Sequence, residues 1–373
     1  MPQVLHIISG LKVGGAEMAL LRLITSFRNS DFEHTVIALT SDGAMKQRFQ
    51  EANIKLELLD FKRSPVSQCW RLMLLIKKIN PDIVQTWMYH ADFFGGIAAR
   101  FLGIRNIVWG IHNTDVTVEG VRTTALSRLC AWLSSYVPKV IICVAEAARC
   151  AHIGIGYKQG NMVVIPNGFD LQSLKATAAE RQALRNRCGF GAAAIVIGSL
   201  GRFNAAKDHN NFIQAAGLLA QRFPHLRFLM VGRDLEASNV ELLTWIQQTG
   251  YADRFVLLSE RSDVPVCLSA MDIFCLHSRT EAFPLVLGEA MAVGLPCVTT
   301  DVGDAALMLG DGDNVVPAKD PAALAQGLGK MLALTPEERA SLGQKSKQRI
   351  HDEFTLTHTR DRFEVIYNKI LKI

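Results

Sequence analysis

No stretch of this sequence approaches the roughly 20 uninterrupted apolar residues that a membrane-spanning helix needs. The most apolar segment, around Ala131 to Ala145, is broken by Ser134, Ser135, Pro138 and Lys139. The opening residues MPQVLHIISG lack the basic start and long apolar middle of a secretory signal, and read as a first strand. A soluble protein that stays in the cytoplasm is expected. Closely spaced cysteines are missing too. Cys69, Cys130, Cys143, Cys150, Cys188, Cys267, Cys275 and Cys297 lie far apart, with no CxxC, and most have apolar neighbours, as in IICVA and DIFCL. That argues against a disulfide framework and a zinc site, and for buried thiols in a reducing compartment. Low-complexity runs are absent. The 28 glycines are scattered, and of 373 residues 49% are apolar and 20% charged. Such a composition is globular, with material for two cores.

The net charge of +5 is modest but uneven. Residues 1–167 hold 18 Lys and Arg against 12 Asp and Glu, whereas residues 168–373 hold 22 against 23. Within the first half, residues 46–78 carry eight basic side chains (Lys46, Arg48, Lys55, Lys62, Arg63, Arg71, Lys77, Lys78) against three acids. A basic half is drawn to acidic surfaces, and anionic lipid headgroups are the natural candidate, at about 1 kcal/mol per basic residue near the surface. A solvated basic face without a partner is the alternative.

Short apolar runs alternate with helical patterns throughout. In the first half the runs are 4–10, 34–40, 54–60, 82–87, 106–112, 139–145 and 162–168. Continuous runs of this kind are what parallel strands covered on both faces look like. Strand–helix alternation implies right-handed crossovers and a doubly wound sheet. The break at IPNGFD (165–170) is followed by a polar stretch, and the alternation then restarts at 195–201, 226–232, 255–258, 272–277, 296–300 and 314–317. The fold class predicted is α/β: two Rossmann-like domains, residues 1–167 and 168–352, hinged near Asn167. From about residue 320 the pattern is helical only. In the last helix, within 353–373, Phe363, Ile366, Tyr367, Ile370 and Leu371 share one apolar face. That helix could cap its own domain or cross back to the first.

In open α/β sheets ligands bind beyond the carboxyl ends of the strands, and the candidate motifs all follow strands. Gly14 and Gly15, in LKVGGAE, let a ligand approach the backbone at a helix start, where free amides favour phosphate. The spacing is not GxGxxG, and the second strand ends without a ribose-binding acid, so a nicotinamide cofactor is disfavoured. In GRFNAAKDHNNF (201–212), Arg202 leaves a strand end and Lys207 falls near the next helix start. A planar fork and a point charge together suit a diphosphate. In SRTEAFPLVLGEAMAVGLP (278–296), Pro284 marks the start of a helix, with Glu281 before it and Glu289 inside it. The amides of Phe283 and Leu285 are free donors for an anion. Glu289 stands in an otherwise apolar helix, where a carboxylate needs partners. Vicinal ribose hydroxyls or a structural ion pair would supply them.

The order GGAE, a His after the fifth strand, PNGFD, GR…K, VGRD, RSDVP, SRTEAFP and E-x7-E resembles the retaining glycosyltransferases of the GT-B fold. It is most similar to the large family that includes sucrose synthases and bacterial cell-envelope glycosyltransferases, over essentially the whole chain. The resemblance implies that Arg202 and Lys207 hold the donor diphosphate, helped by the Gly14–Gly15 backbone. It implies that Glu289 binds the ribose hydroxyls and Glu281 those of the transferred sugar. Phe283, Pro284 and Leu285 would line the sugar or phosphate, and Arg261 would lie beside the base. His112, in WGIHNTD, takes the position where this family places a His near the reacting carbon. Three departures stand out: Ala282 where the family has glycine, His277 in place of the usual proline before Ser278, and Gly303-Asp304 for a glycine pair.

The implied reaction passes a sugar from a nucleotide-sugar donor, UDP by preference, to a lipid-linked glycan acceptor, with retained anomeric configuration and no divalent ion. Asp311-Gly312-Asp313 is read as turn chemistry and not as metal ligands. No cofactor and no nucleic acid are expected. A peripheral place on the inner face of the plasma membrane, through the basic first half, is expected. The competing readings are a sugar-nucleotide epimerase of similar fold, which would want more acid/base residues than His112, and a binding-only subunit of an envelope-assembly complex.

Overall fold

The structure is a computed structural model and describes residues 1–12, 14–27, 32–114, 121–310 and 312–372. Two compact units divide the chain: Met1–Gly168 with Leu356–Ile373, and Phe169–Thr355. The first holds strands β1 (Gln3–Ile8), β2 (Glu33–Ala38), β3 (Lys55–Leu58), β4 (Ile83–Trp87), β5 (Ile107–Ile111), β6 (Val140–Cys143) and β7 (Met162–Val164). They form one parallel sheet in the order β3-β2-β1-β4-β5-β6-β7. The second holds β8 (Ile195–Leu200), β9 (Leu226–Val231), β10 (Phe255–Leu258), β11 (Ile273–Leu276), β12 (Cys297–Thr300) and β13 (Val315–Val316). Their order is β10-β9-β8-β11-β12-β13, again all parallel.

The central strands show why continuous apolar runs predict such sheets. All five residues of β4 and all five of β5 are buried, because helices cover both faces. Each sheet reverses direction once, between β1 and β4 and between β8 and β11. Such switch points open a crevice at the carboxyl ends of the strands, where ligands bind in folds of this type. Local signals place several of the helix starts. Thr177 with Glu180 and Thr335 with Glu338 make reciprocal capping boxes, and Asn239 and Asp320 cap two more.

The final helix, Leu356–Leu371, packs into the first unit. Phe363, Tyr367 and Ile370 are buried with Leu20, Ile24, Phe27 and Trp87. Tyr367 Oη donates to Gln85 Oε1 at 2.5 Å, Lys139 Nζ to the Ile370 carbonyl at 3.0 Å, and Thr359 Oγ1 to the Pro166 carbonyl at 2.9 Å. In the second unit the core centres on Phe212, Phe228, Met230, Ile273 and Leu328. There the helix Leu285–Val293 comes so close to Phe169 that a Cβ on Gly288 would fall 2.0 Å from the ring.

All eight cysteines are free thiols, five of them buried; Cys69 and Cys188 are half-buried and Cys150 is exposed, against the expectation of burial. Its place on the outer side of the helix Glu146–Gly154 explains that difference, since the buried positions there are Ala148 and His152. No helix among the described residues is long and apolar enough to cross a membrane.

Candidate active site

The second unit concentrates its candidate residues on the two loops that leave β8 and β11, on either side of its switch point. After β8 the chain passes Gly201 against Gly232, which follows β9. A Cβ on Gly232 (φ 153°) would fall 2.2 Å from the Gly201 carbonyl oxygen, so only glycine allows this crossing. Arg202 then points to solvent and makes no ion pair among the described residues. The Lys207 stem lies over Gly201, with Cδ 3.4 Å from where a Cβ would stand.

Four links tie this loop to the one after β11. Lys207 Nζ meets Glu281 Oε1 at 2.5 Å. The Arg279 amide donates to the Ala206 carbonyl at 2.7 Å. Arg279 Nη2 reaches the buried Asp208 Oδ1 at 2.7 Å. His277 Nδ1 donates to the Lys207 carbonyl at 2.5 Å. Ser278 Oγ adds a bond to the same Glu281 oxygen at 2.7 Å. The carboxylate is thereby oriented from two sides before any ligand arrives, and the lysine is held at its backbone and its tip. Burial pushes the His277 ring down to about 4, so it acts as a neutral donor.

Neither Lys207–Glu281, 74 residues apart, nor the His277 contact, 70 apart, could be read from spacing. The sequence treats Lys207 and Glu281 as separate contacts to phosphate and sugar; the structure pairs them. His277, Ser278, Asp208 and Arg279 were missed as positioning groups. The one signal was His277, a departure from the family's proline.

Pro284 is the N-cap of the helix Leu285–Val293, so the Leu285 amide has no acceptor within its own helix. Glu289 is buried on that helix, at 9% exposure. Phe283 is buried as well, its ring stacked on Phe169 at 6.2 Å and tilted against Phe354 at 5.8 Å. Behind this segment, Gly303 sits in the left-handed region (φ 54°), where a Cβ would fall 2.5 Å from both the Glu281 and Ala282 carbonyl oxygens. The Asp304 amide donates to the Ala282 carbonyl at 2.9 Å. The Gly303-Asp304 pair is thus the backing of the Glu281 loop. Arg261 forms a two-pronged pair with Asp263, Nε–Oδ1 2.7 Å and Nη2–Oδ2 2.5 Å. That pair holds the Arg261 guanidinium above and the Asp263 carboxyl below their ordinary ranges. Arg261 is therefore a fixed plate rather than a mobile cation.

In the first unit Gly14 is the N-cap of the helix Gly15–Ser26, in extended conformation. A Cβ there would fall 2.6 Å from Glu17 Oε2, so the glutamate folds back over the glycine pair. Burial raises its carboxyl above the usual carboxylate range. His112 follows β5, and its ring stacks on Trp87 at 4.8 Å and 21°. Burial pushes it down to about 4, which leaves the ring neutral at neutral pH. Trp87 Nε1 donates to His6 Nδ1 at 3.2 Å, so His6 carries its proton on Nε2 and donates to His34 Nδ1 at 2.9 Å. Two neutral imidazoles, His6 and then His34, thus stand in line behind the tryptophan on which His112 rests.

Among the described residues no group of His, Cys, Asp or Glu is arranged to hold a metal ion. Asp311 lies outside the described residues; Asp313 sits in the short turn Gly312–Asn314.

Two family models match the chain: glycosyltransferase family 4 over residues 13–173 and glycosyl transferases group 1 over residues 180–349. A relative in Escherichia coli, UDP-Gal:alpha-D-GlcNAc-diphosphoundecaprenol alpha-1,3-galactosyltransferase, is 29% identical over 238 residues, 62% of this chain. The match spans only 60% of that relative's length. The capsular polysaccharide biosynthesis glycosyltransferase CapM of Staphylococcus aureus is 24% identical over 358 residues, 90% of each chain. Among solved structures, HepE of Anabaena in complex with UDP aligns over 98% of this chain and 100% of its own, with a TM-score of 0.87 and 22% identity. At that identity the likeness speaks for the fold.

Proposed function

The chain belongs to the glycosyltransferases of the GT-B fold, and on that premise we propose that it moves a sugar from a UDP-sugar to a lipid-linked glycan acceptor in cell-envelope polysaccharide biosynthesis. The observation that carries this reading is the Lys207–Glu281 pair at the switch point of the second sheet, held by Ser278 and His277. A sugar diphosphate presents an anion to the lysine and, one bond away, hydroxyls to the carboxylate. The pair therefore matches the donor at the bond that breaks. The relatives' names, with UDP-galactose and a diphosphoundecaprenol acceptor in one and a capsule in another, support the choice of substrates.

When that bond breaks, negative charge grows on the leaving phosphate and positive charge on the sugar ring. Lys207 and the free, exposed Arg202 stabilise the first, in a loop already organised by its four links. Glu281 holds the sugar hydroxyls and Glu289 the ribose, while the Leu285 amide and the Phe283 segment line the sugar. His112, neutral and braced on Trp87, offers the ring as a dipole to the sugar at the reacting carbon. No carboxylate stands as an evident nucleophile, so attack on the face the phosphate leaves, with retention of configuration, is the course proposed. With the charge on the phosphate met by side chains, the reaction needs no divalent ion.

The first test is thermal unfolding with UDP, GDP, ADP and TDP, with and without chelator, on the wild type and Glu289→Ala. Stabilisation by UDP that survives chelation and is lost in the variant is the expected result. No shift with any nucleotide removes the donor site. Activity lost in chelator and restored by Mg²⁺ refutes the metal-free mechanism.

A further inference from the structure

The helix Pro336–Glu353 helps to enclose a cavity of about 310 Å³ in the second unit. Cys297 opens β12 there and Asn314 precedes β13, so the cavity lies at the amino ends of those strands, away from the carboxyl ends that carry Glu281. Its inner wall is apolar, with Leu309, Met331 and Cys297 buried. Lys345 and Arg349, about one helical turn apart, bring two cations to it, and the buried Ser346 adds a hydroxyl. No carboxylate lines it among the described residues, and Lys345 makes no ion pair among them.

Arg349 is the part of this wall that reaches the donor loop. Its Nε donates to the Met308 carbonyl at 2.9 Å, its Nη2 to the Leu307 carbonyl at 2.9 Å, and its Nη1 to Glu353 Oε1 at 2.8 Å. Among the described residues three of its five N–H donors are thus used and two remain. Leu307 and Met308 belong to the helix Ala305–Leu309, whose N-cap Asp304 gives its amide to the Ala282 carbonyl, next to Glu281. The guanidinium also stands 5.9 Å from the centre of the Phe354 ring, which is tilted against Phe283 at 5.8 Å. One side chain of the cavity wall therefore bears on the segment from Glu281 to Phe283 by two routes.

We infer that this cavity is an effector site for a small organic anion with an apolar body, and that its occupant stiffens the Glu281 loop through Arg349. The anionic group lies between Lys345, the Ser346 hydroxyl and the two spare N–H groups of Arg349, and the body lies against Met331 and Leu309. An apolar wall with a few convergent polar groups is the pattern of a small-molecule site. Two cations without a carboxylate set the sign of the ligand, and the apolar wall disfavours a bare sugar, whose hydroxyls would find no partners there. A guanidinium fixed by an anion holds the Leu307 and Met308 carbonyls more firmly, so ordering passes along bonds that are already made. The consequence for the reaction rests on the donor role proposed for Glu281; binding and stiffening do not.

Titration calorimetry of the full chain with phenyl phosphate tests the site, with inorganic phosphate and phenol as the two halves of the probe. Saturable binding with a Kd of about 1 mM or below is expected, and binding of either half at least about tenfold weaker. Lys345→Glu, at an exposed position, and Ser346→Leu, which fills the cavity, should each weaken phenyl phosphate by about tenfold or more. Lys207→Ala should leave it unchanged, which separates this cavity from the donor's phosphate site. Hydrogen exchange reads the link. The probe should slow exchange of the Asp304 amide by about fivefold or more, an effect lost in Arg349→Lys, which keeps the charge but not the planar fork. UDP affinity should change in the presence of the probe by the same factor as probe affinity changes with UDP bound. Absence of saturable binding overturns the inference, as does unchanged binding in Lys345→Glu or Ser346→Leu. Binding that leaves Asp304 exchange, or a measurable UDP affinity, unchanged overturns it too. Probe binding with slowed exchange in a protein that binds no nucleotide leaves the effector site standing while the proposed reaction falls.

Discussion

In the first unit the buried polar side chains are held in neutral pairs: Tyr89 Oη with His152 Nε2 at 2.6 Å, Trp87 with His6, His6 with His34, Tyr367 with Gln85. In the second, the polar side chains at the strand ends are held as ions. Lys207 meets Glu281 and Arg279 meets Asp208 beyond the carboxyl ends of β8 and β11, while Asp272, at the amino end of β11, takes both Arg181 and Arg185, at 2.8 and 3.0 Å. The winding of the two sheets is alike, so topology does not account for the difference. Buried ions cost several kcal/mol in lost hydration and are kept only where geometry compensates. A unit that must present charge to a charged ligand carries that cost at its rim. A unit whose polar core only has to stay rigid does better with neutral rings. On the proposed function, a charged donor accounts for the ion pairs in the loops after β8 and β11, whereas the neutral pairs of the first unit serve its packing.

The contrast is sharpest for substitutions of His112 and Lys207. Lys207→Ala should cut turnover by about a hundredfold or more, since one charge contact to a transition state is worth roughly 3 kcal/mol. It should also weaken the nucleotide-induced thermal shift. His112→Ala, in the other unit, should lower turnover while leaving that shift in place. Equal loss of nucleotide binding in both would break the division of labour.

Gly288→Ala probes the packing beneath the second site. Its Cβ would stand 2.0 Å from Phe169, whose ring stacks on Phe283. Overpacking of this kind costs about 1–3 kcal/mol, so the melting temperature should fall. Displacement of Phe283 should also raise KM for the donor more than the acceptor. An unchanged melting temperature would mean that the helix Leu285–Val293 yields easily.

Acid separates the units by their histidines. Burial holds His34, His112 and His152 down to about 4 and His6 well below its ordinary 6.5. In the second unit His209 and His277 are held down to about 3 and about 4. A folded pKa below the free value means the unfolded chain binds the proton more tightly. The stability these groups contribute is full above pH 6.5 and is lost as the pH falls toward 4. Burial lowers His90 as well, while Asp92 and Glu17, raised by burial, pull the other way, so the first unit's slope is that of five histidines offset by two carboxyls. Hydrogen exchange at pH 7 and pH 5 should show greater loss of protection in β1, β2 and β5 than in β8 and β9. The smallest expected effect is Ser278→Ala. It removes one hydrogen bond to Glu281, worth about 1 kcal/mol, and should raise KM for the donor severalfold with kcat little changed.

Much of the fold was legible because parallel strands covered on both faces are written as unbroken apolar runs. Ile83–Trp87 and Ile107–Ile111 are examples: every residue is buried, so every residue is apolar or hydrogen-bonded. The position of Glu281 and Glu289 around a helix start followed from Pro284. The home of the last helix did not follow, because periodicity defines an apolar face and not the surface it meets. Leu20 and Ile24 on the helix Gly15–Ser26 are what Phe363 and Tyr367 find. The pairing of Lys207 with Glu281 was equally closed to spacing arguments. It is made by the neighbouring positions of β8 and β11 in the sheet, which bring residues 74 apart to 2.5 Å.

The chain leaves the first unit after Gly168 and returns to it at Leu356, which makes the second unit an insertion within the first. The Phe169 amide donates to the Phe354 carbonyl at 2.8 Å, beside the bridge from Phe169 to Thr355, so exit and return lie side by side. During synthesis this reverses the order of completion. Residues 169–355 emerge as a contiguous segment with a whole core of their own, while the unit begun first still lacks Phe363, Tyr367 and Ile370. The unit that starts the chain is therefore the last to close, and until the helix Leu356–Leu371 has emerged Phe27, Trp87 and Leu20 have one side of their core open to water.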